Sequence, residues 1–365
     1  MTPAASPPAP QPEGVAVVYC DGAFNTPNGK TAHGLVRFTE RYRTGAVVDG
    51  RYAGQDAGAV LDDRPAGIPL VASLEAALET VPATTHFVIG LAPDGGRLPD
   101  EARRVVADAL RRGLHVDSGL HDFLSDDPEL AQLAERHGAE IRDVRKPPSR
   151  EHLHFFSGKI EEVEALKVAV LGTDSAVGKR TTAWKLVHAL RDRGVSAELV
   201  GTGQTAWMQG ARYSLVLDSV VSDFVAGEIE HAVWRAWTEA RPDVIVLEGQ
   251  GSLMNPAYPG GFELLAAGRP NAVVLQHAPT RKEYDGFPGY PLHPLPQQIQ
   301  AVELIGGTPV VALTVNHEGL TKDEVPAVCR GLELALGLPT LDPLLDGADR
   351  LVDVLEPLLA AQQTA

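Results

Sequence analysis

Apolar and polar positions follow two rhythms along this chain. Short, nearly uninterrupted apolar runs alternate with longer stretches in which apolar residues recur at helical spacing. Runs of the first kind, bounded by turn residues, belong to strands covered on both faces; the second kind marks the amphipathic helices that cover them. In the first half the runs predict strands at 15–19, 46–49, 68–71, 86–91, 114–117 and 140–144, with helices over 31–40, 74–80, 100–112 and 128–137. In the second half they predict strands at 168–171, 197–200, 243–248, 272–277 and 309–315. Helices are expected from 180 to 194, over 224–240, 297–305 and 323–336, and from 348 onward. Strand and helix in strict alternation is the pattern of an α/β fold with parallel sheets. A chain of 365 residues is long for one core, and Pro147-Pro148, flanked by Arg145, Lys146 and Arg150, interrupts the alternation where a junction between two domains is expected.

The strongest chemical signal lies where the run Val168-Ala169-Val170-Leu171 stops at a glycine. Gly172-Thr173-Asp174-Ser175-Ala176-Val177-Gly178-Lys179 has G-x-x-x-x-G-K spacing, and Arg180-Thr181-Thr182 opens a helix. Strand, glycine loop and helix in that order form a phosphate-binding loop. Its backbone N–H groups turn inward onto phosphate oxygens, the helix directs its positive end at them, and the lysine adds a point charge. One departure bears on the metal. Ser or Thr follows the lysine in the usual loop and holds Mg²⁺, whereas Arg180 stands there in this chain. Either Thr181 takes the metal from the next position, or Arg180 supplies the charge instead.

Other candidates sit at strand exits. Glu248, at the end of the 243–248 run and followed by Gly249-Gln250-Gly251-Ser252, is placed as the carboxylate that faces a metal or its water shell, and as a catalytic group. The 272–277 run ends at His277 and opens into a long loop stiffened by prolines and carrying Arg281, Lys282 and Asp285. His277 and Asp285 are acid–base candidates there, and Arg281 and Lys282 could clamp a carboxylate or phosphate. Asn316, after the 309–315 strand, is a candidate for reading a base. The polar loop Gly201-Thr202-Gly203-Gln204-Thr205 offers Gln204 toward a terminal phosphate or a substrate. In the first half, Asp21, Lys30, Thr31 and His33 fall beyond the first strand, where open α/β sheets hold ligands; a plain polar loop with a Thr helix cap is the equal alternative. No G-x-G-x-x-G follows any strand of that half, so a nicotinamide cofactor is weakly supported.

Composition narrows the partners. A net charge of −16 without a basic stripe argues against nucleic acid. The two cysteines, Cys20 and Cys329, form neither a disulfide framework nor a zinc pattern. The Pro/Ala-rich start lacks the basic and apolar regions of a secretory signal and is expected to be a disordered tail, and no apolar stretch approaches the roughly 20 residues that span a bilayer. A cytoplasmic protein is expected, with no membrane partner.

The motifs GTDSAVGKRTT, LEGQGS and QHAPTRKEYDGFPGYPLHP together resemble those of the DUF1611 family, associated with D-glutamate N-acetyltransferase. The first alone is also similar to the loop of dethiobiotin synthetase and its relatives. The resemblance covers nearly the whole chain and implies a Rossmann-like domain over 15–145 after a tail at 1–14, a linker at 146–160, and a P-loop NTPase-like domain with a parallel sheet over 161–365. It implies transfer of acetyl from acetyl-CoA to the amine of an acidic amino acid, in a homo-oligomer. By loop position, not by the resemblance, the phosphates of CoA would then lie on Gly178, Lys179 and Thr181, with His277 or Glu248 as base, while Arg281 and Lys282 steady the acceptor's carboxylate. The residues alone favour the rival, a carboxylate–amine ligase using ATP and Mg²⁺ bound through Thr181 and Glu248. A nucleotide-gated regulator is the third reading.

Overall fold

Residues 11–362 are described in the structure, a computed structural model; positions 1–10 of the expected tail lie outside them. In chain order the first elements are β1 (Gly14–Tyr19), α1 (Lys30–Arg37), β2 (Tyr42–Val48), α2 (Ala57–Asp62), β3 (Leu70–Val71), α3 (Leu74–Thr80), β4 (His86–Ile89), α4 (Asp100–Arg111), β5 (His115–Ser118), α5 (Pro128–His137) and β6 (Ile141–Asp143). They continue with β7 (Leu166–Gly172), α6 (Lys179–Asp192), β8 (Ala197–Gly201), α7 (Gln204–Met208), β9 (Tyr213–Ser214), α8 (Ser222–Ala240), β10 (Val244–Glu248), α9 (Phe262–Gly268), β11 (Ala272–His277), α10 (Leu295–Gly306), β12 (Val310–Val315), α11 (Val325–Leu336), β13 (Thr340–Leu341) and α12 (Asp349–Gln362).

Local chemistry explains the boundaries that the sequence pattern finds. Helix α5 starts at a proline behind Asp127, whose carboxylate accepts from the N–H groups of Glu129 and Leu130, and it stops at Gly138 in the left-handed region. Strands β7, β10 and β11 are buried along their whole length, their apolar runs together with Lys167, Glu248, Gln276 and His277. The pattern misses what tertiary pairing adds. β2 starts at Tyr42, ahead of the expected 46, because Gly14 pairs with Tyr42 and draws the polar residues into the ladder. Helix α2 escapes for lack of a full amphipathic turn; it is nucleated by Asp56, whose carboxylate takes the N–H groups of Ala59, Ala66 and Gly67.

The chain divides into two units, one of residues 1–147 with 204–210, the other of 148–203 with 211–365. Each carries its own all-parallel sheet. The first has the order β3-β2-β1-β4-β5-β6, reversing direction at β1 and β4, which is a Rossmann-like arrangement. The second has the order β13-β12-β11-β7-β10-β8-β9. β7 lies between β10 and β11, with Glu248 paired to Val170 and Gln276 to Gly172, so the loops leaving these three strands emerge side by side.

The segment 204–210, assigned from the sequence to the second domain, packs with the first unit. Met208 is fully buried in that unit's core. The Gln209 side-chain amide donates to the carbonyls of Gly34 and Phe38 at 2.9 and 3.0 Å, and the Arg41 guanidinium lies 3.8 Å over the Trp207 ring. Among the described residues no helix is long and apolar enough to cross a membrane.

Candidate functional site

Three neighbouring loops at the carboxyl end of the second sheet build the site. At its centre, β7 delivers Gly172, where a Cβ would stand 2.9 Å from Lys179 Cδ; glycine makes room for the lysine stem to fold back across the loop. Gly178, with φ +106°, turns the backbone into α6 in a conformation that side chains disfavour. Lys179 is 7% exposed, and its ammonium donates to the carbonyls of Asp174 and Gly251 at 2.7 and 2.8 Å. Burial brings its pKa down to about 8, against the attraction of Asp174 and Glu248. An ammonium carries three donors, and two neutral carbonyls are weaker partners than an anion.

Asp174 joins the three loops. Its carboxylate is fully buried and accepts from four donors: its neighbour Ser175 N–H at 2.7 Å, Asn255 Nδ2 at 2.9 Å, Arg281 Nη1 at 2.9 Å and Asp285 N–H at 2.9 Å. Arg281 also donates to Ser175 O and is paired with Glu318, each at 2.7 Å. The sequence offers Arg281 as a clamp for a substrate; the structure gives it Asp174 and Glu318 to clamp. Asp285 contributes its N–H to this network and leaves its side chain exposed, as Lys282 is exposed.

Glu248 is 5% exposed and accepts from the Thr202 N–H at 2.9 Å. Burial raises its pKa, and the Arg180 guanidinium is the first of the groups opposing that rise, ahead of Lys179. Thr181 is half-buried on the first turn of α6. Thr182 does not face the loop's mouth: its hydroxyl donates to Gln276 Oε1 at 2.5 Å, which also accepts from Thr314. His277 is 9% exposed with Nδ1 2.9 Å from the Thr173 hydroxyl, and burial holds its pKa down at about 4, so it is neutral over the physiological range. The Asn316 side chain donates to Val177 O at 3.0 Å and accepts from Glu318 N–H, bracing the loop from outside. Among the described residues no group of three or more His, Cys, Asp or Glu is arranged to hold a metal ion.

The remaining candidates belong to the first unit. Lys30 is exposed at the start of α1, next to the buried Thr31, whose hydroxyl is 3.2 Å from that of Thr205. Gln204 opens helix α7 instead of lying in a loop, and its side chain packs on Gly119, where a Cβ would meet its Cγ at 2.6 Å. Thr31 and Gln204 thus both make contacts inside the unit. Asn255 is the residue that sequence reasoning missed; its only local signal is the Asn-Pro turn it forms with Pro256.

Comparison with known proteins agrees with this architecture. Residues 154–352 match the family model described as "Domain of unknown function (DUF1611_C) P-loop domain", and residues 50–147 match "Domain of unknown function (DUF1611_N) Rossmann-like domain". A protein of Tritonibacter scottomollicae named D-glutamate N-acetyltransferase is 34% identical over 278 residues, 74% of this chain and 80% of that one. A Pseudoalteromonas protein of the same name is 31% identical over 273 residues, 73% of this chain and 80% of its own. The crystal structure of a DUF1611 family protein from Anabaena variabilis superposes with a TM-score of 0.87 at 32% identity, covering 94% of this chain and 99% of that one.

Proposed function

The chain belongs to the DUF1611 family, and from that premise we propose that it is an enzyme that transfers the acetyl group of acetyl-CoA to the amine of an acidic amino acid, D-glutamate foremost. The names of its two relatives support this reading. The observation that carries it against an ATP-dependent ligase is that Arg180 stands where a metal-holding Ser or Thr would follow Lys179, and that its positive charge acts on Glu248 ahead of that of Lys179. A carboxylate that a magnesium–ATP user commits to its metal here accepts from the Thr202 N–H and lies in the field of the Arg180 charge. This donor set suits a diphosphate bound without a metal better than Mg²⁺ on Thr181 and Glu248.

In this reading the N–H groups of residues 176–179 and the Lys179 ammonium hold the diphosphate of CoA. The ammonium exchanges two carbonyls for phosphate oxygens, which offsets the cost of its burial. The acceptor amine loses a proton to a base and attacks the thioester carbonyl. The C–S bond breaks, the N-acetyl amino acid forms, and the thiolate takes up a proton as free CoA. A base works best with its pKa near the working pH. Burial raises Glu248 toward that range and drops His277 below it, so Glu248 is the base and His277 fixes the loop through Thr173.

The test supplies purified protein with acetyl-CoA and D-glutamate, with and without EDTA, and separately with ATP and Mg²⁺. Free thiol that depends on the amino acid and is indifferent to EDTA is expected. ADP formation without thiol release would instead establish the ligase.

A further inference from the structure

Two of the three loops end in exposed aromatic rings. Tyr258 and Tyr290 are 58% and 55% exposed, and both contact Phe287 edge to face, at 6.0 and 6.5 Å between centroids. Exposed aromatic groups in contact mark binding surfaces more often than single exposed apolar residues do. The rings stand on anchored backbone. Tyr258 N–H donates to Asn255 Oδ1, Asn255 donates to Asp174, and Asp285 N–H donates to the other Asp174 oxygen. Tyr284, 3% exposed, ties the second loop by exchanging backbone bonds with Phe287 and Tyr290.

The direction of a bound diphosphate follows from the lysine. In a phosphate-binding loop the lysine reaches the phosphate farther from the nucleoside. The Lys179 ammonium rests on Asp174 O and Gly251 O, and Gly251 packs so closely on the Tyr258 carbonyl that a Cβ would approach it to 2.1 Å. That outer phosphate therefore faces the loops that carry the aromatic rings. In CoA the pantetheine arm is attached to the outer phosphate.

Resting on the function proposed above, we propose that Tyr258, Phe287 and Tyr290 form the subsite for the pantetheine arm of the acyl-CoA. The arm, alkyl segments joined by two amides, lies along the rings. Asp174 is a positioning residue for this subsite, since its carboxylate sets both loops.

The test is calorimetric titration of the full chain with CoA and with ADP, which shares the adenosine diphosphate but has no arm. In the double variant Tyr258→Ala/Tyr290→Ala, CoA affinity is expected to fall about tenfold or more while ADP affinity stays unchanged. The variant Tyr258→Phe/Tyr290→Phe, which keeps the rings, is expected to bind CoA like the unaltered protein. Lys179→Ala is expected to weaken both ligands. Unchanged CoA affinity in the double alanine variant, with both ligands weakened by Lys179→Ala, overturns the subsite alone, as does equal weakening of ADP and CoA by the double variant. Indifference of both ligands to Lys179→Ala overturns the phosphate-loop reading on which the subsite rests.

Discussion

Both units present loops beyond a parallel sheet, yet burial acts in opposite ways on Asp49 in the first and on Lys179 and Glu248 in the second. In the first, Asp49 follows β2 with its carboxylate fully buried. Burial pushes its pKa up, but Arg51 at 2.7 Å and the N–H groups of Phe24 and Arg51 outweigh that and leave it below the ordinary carboxylate range. In the second, burial prevails: Lys179 is pulled down to about 8 and Glu248 is raised. The first set of groups is satisfied by the protein itself. In the second, the Lys179 ammonium is held at a cost in stability that an anionic ligand can relieve, which is a physical mark of a functional site.

Removing Asp174 tests the second set most severely. Asp174→Ala leaves Arg281 buried with only Glu318 opposite it and is expected to destabilise the protein by about 3 kcal/mol, read as a lowered midpoint in denaturant, and to weaken CoA binding as the loops loosen. Lys179→Ala is expected to weaken CoA binding on the order of a hundredfold with little change in stability, because removing a buried charge offsets the loss of its two bonds to carbonyls. The contrast would be broken by Asp49→Ala if it lowered CoA affinity. The expected result is a loss of about 1–3 kcal/mol of stability with CoA binding unchanged.

Two smaller effects concern pH. The phosphate-binding form of Lys179 is the ammonium, so CoA affinity is expected to decline as pH rises past about 8, and Lys179→Ala should abolish that dependence in the same titration. His277 has a folded pKa below its ordinary 6.5, so the unfolded chain binds its proton more readily. Its contribution to stability is present above pH 6.5 and is lost as pH falls toward 4. A His277→Gln variant should show a shallower acid limb in denaturation midpoint against pH.

The site was only partly legible in the chain because its parts differ in range. The loop 172–179 can be read directly, since glycine spacing, preceding strand and following helix are all contiguous. Asp174 stood within that loop as a phosphate-binding candidate, but its use as the fastening point did not show, because its partners Asn255, Arg281 and Asp285 lie 81, 107 and 111 positions away. Arg281 looked available for a substrate for the same reason.

What the sequence by itself determined is the longer strands and helices in their order, the parallel α/β class and the phosphate loop. Each of these follows from residues within a few positions of one another, through side-chain periodicity and backbone conformational preference. Only the tertiary structure decided that residues 204–210 complete the first unit's core, that Thr31 meets Thr205 and Gln204 packs on Gly119, and that Asp174 fastens three loops. Those outcomes depend on which distant groups burial brings into contact, and a buried polar side chain takes its role from the partner that satisfies it.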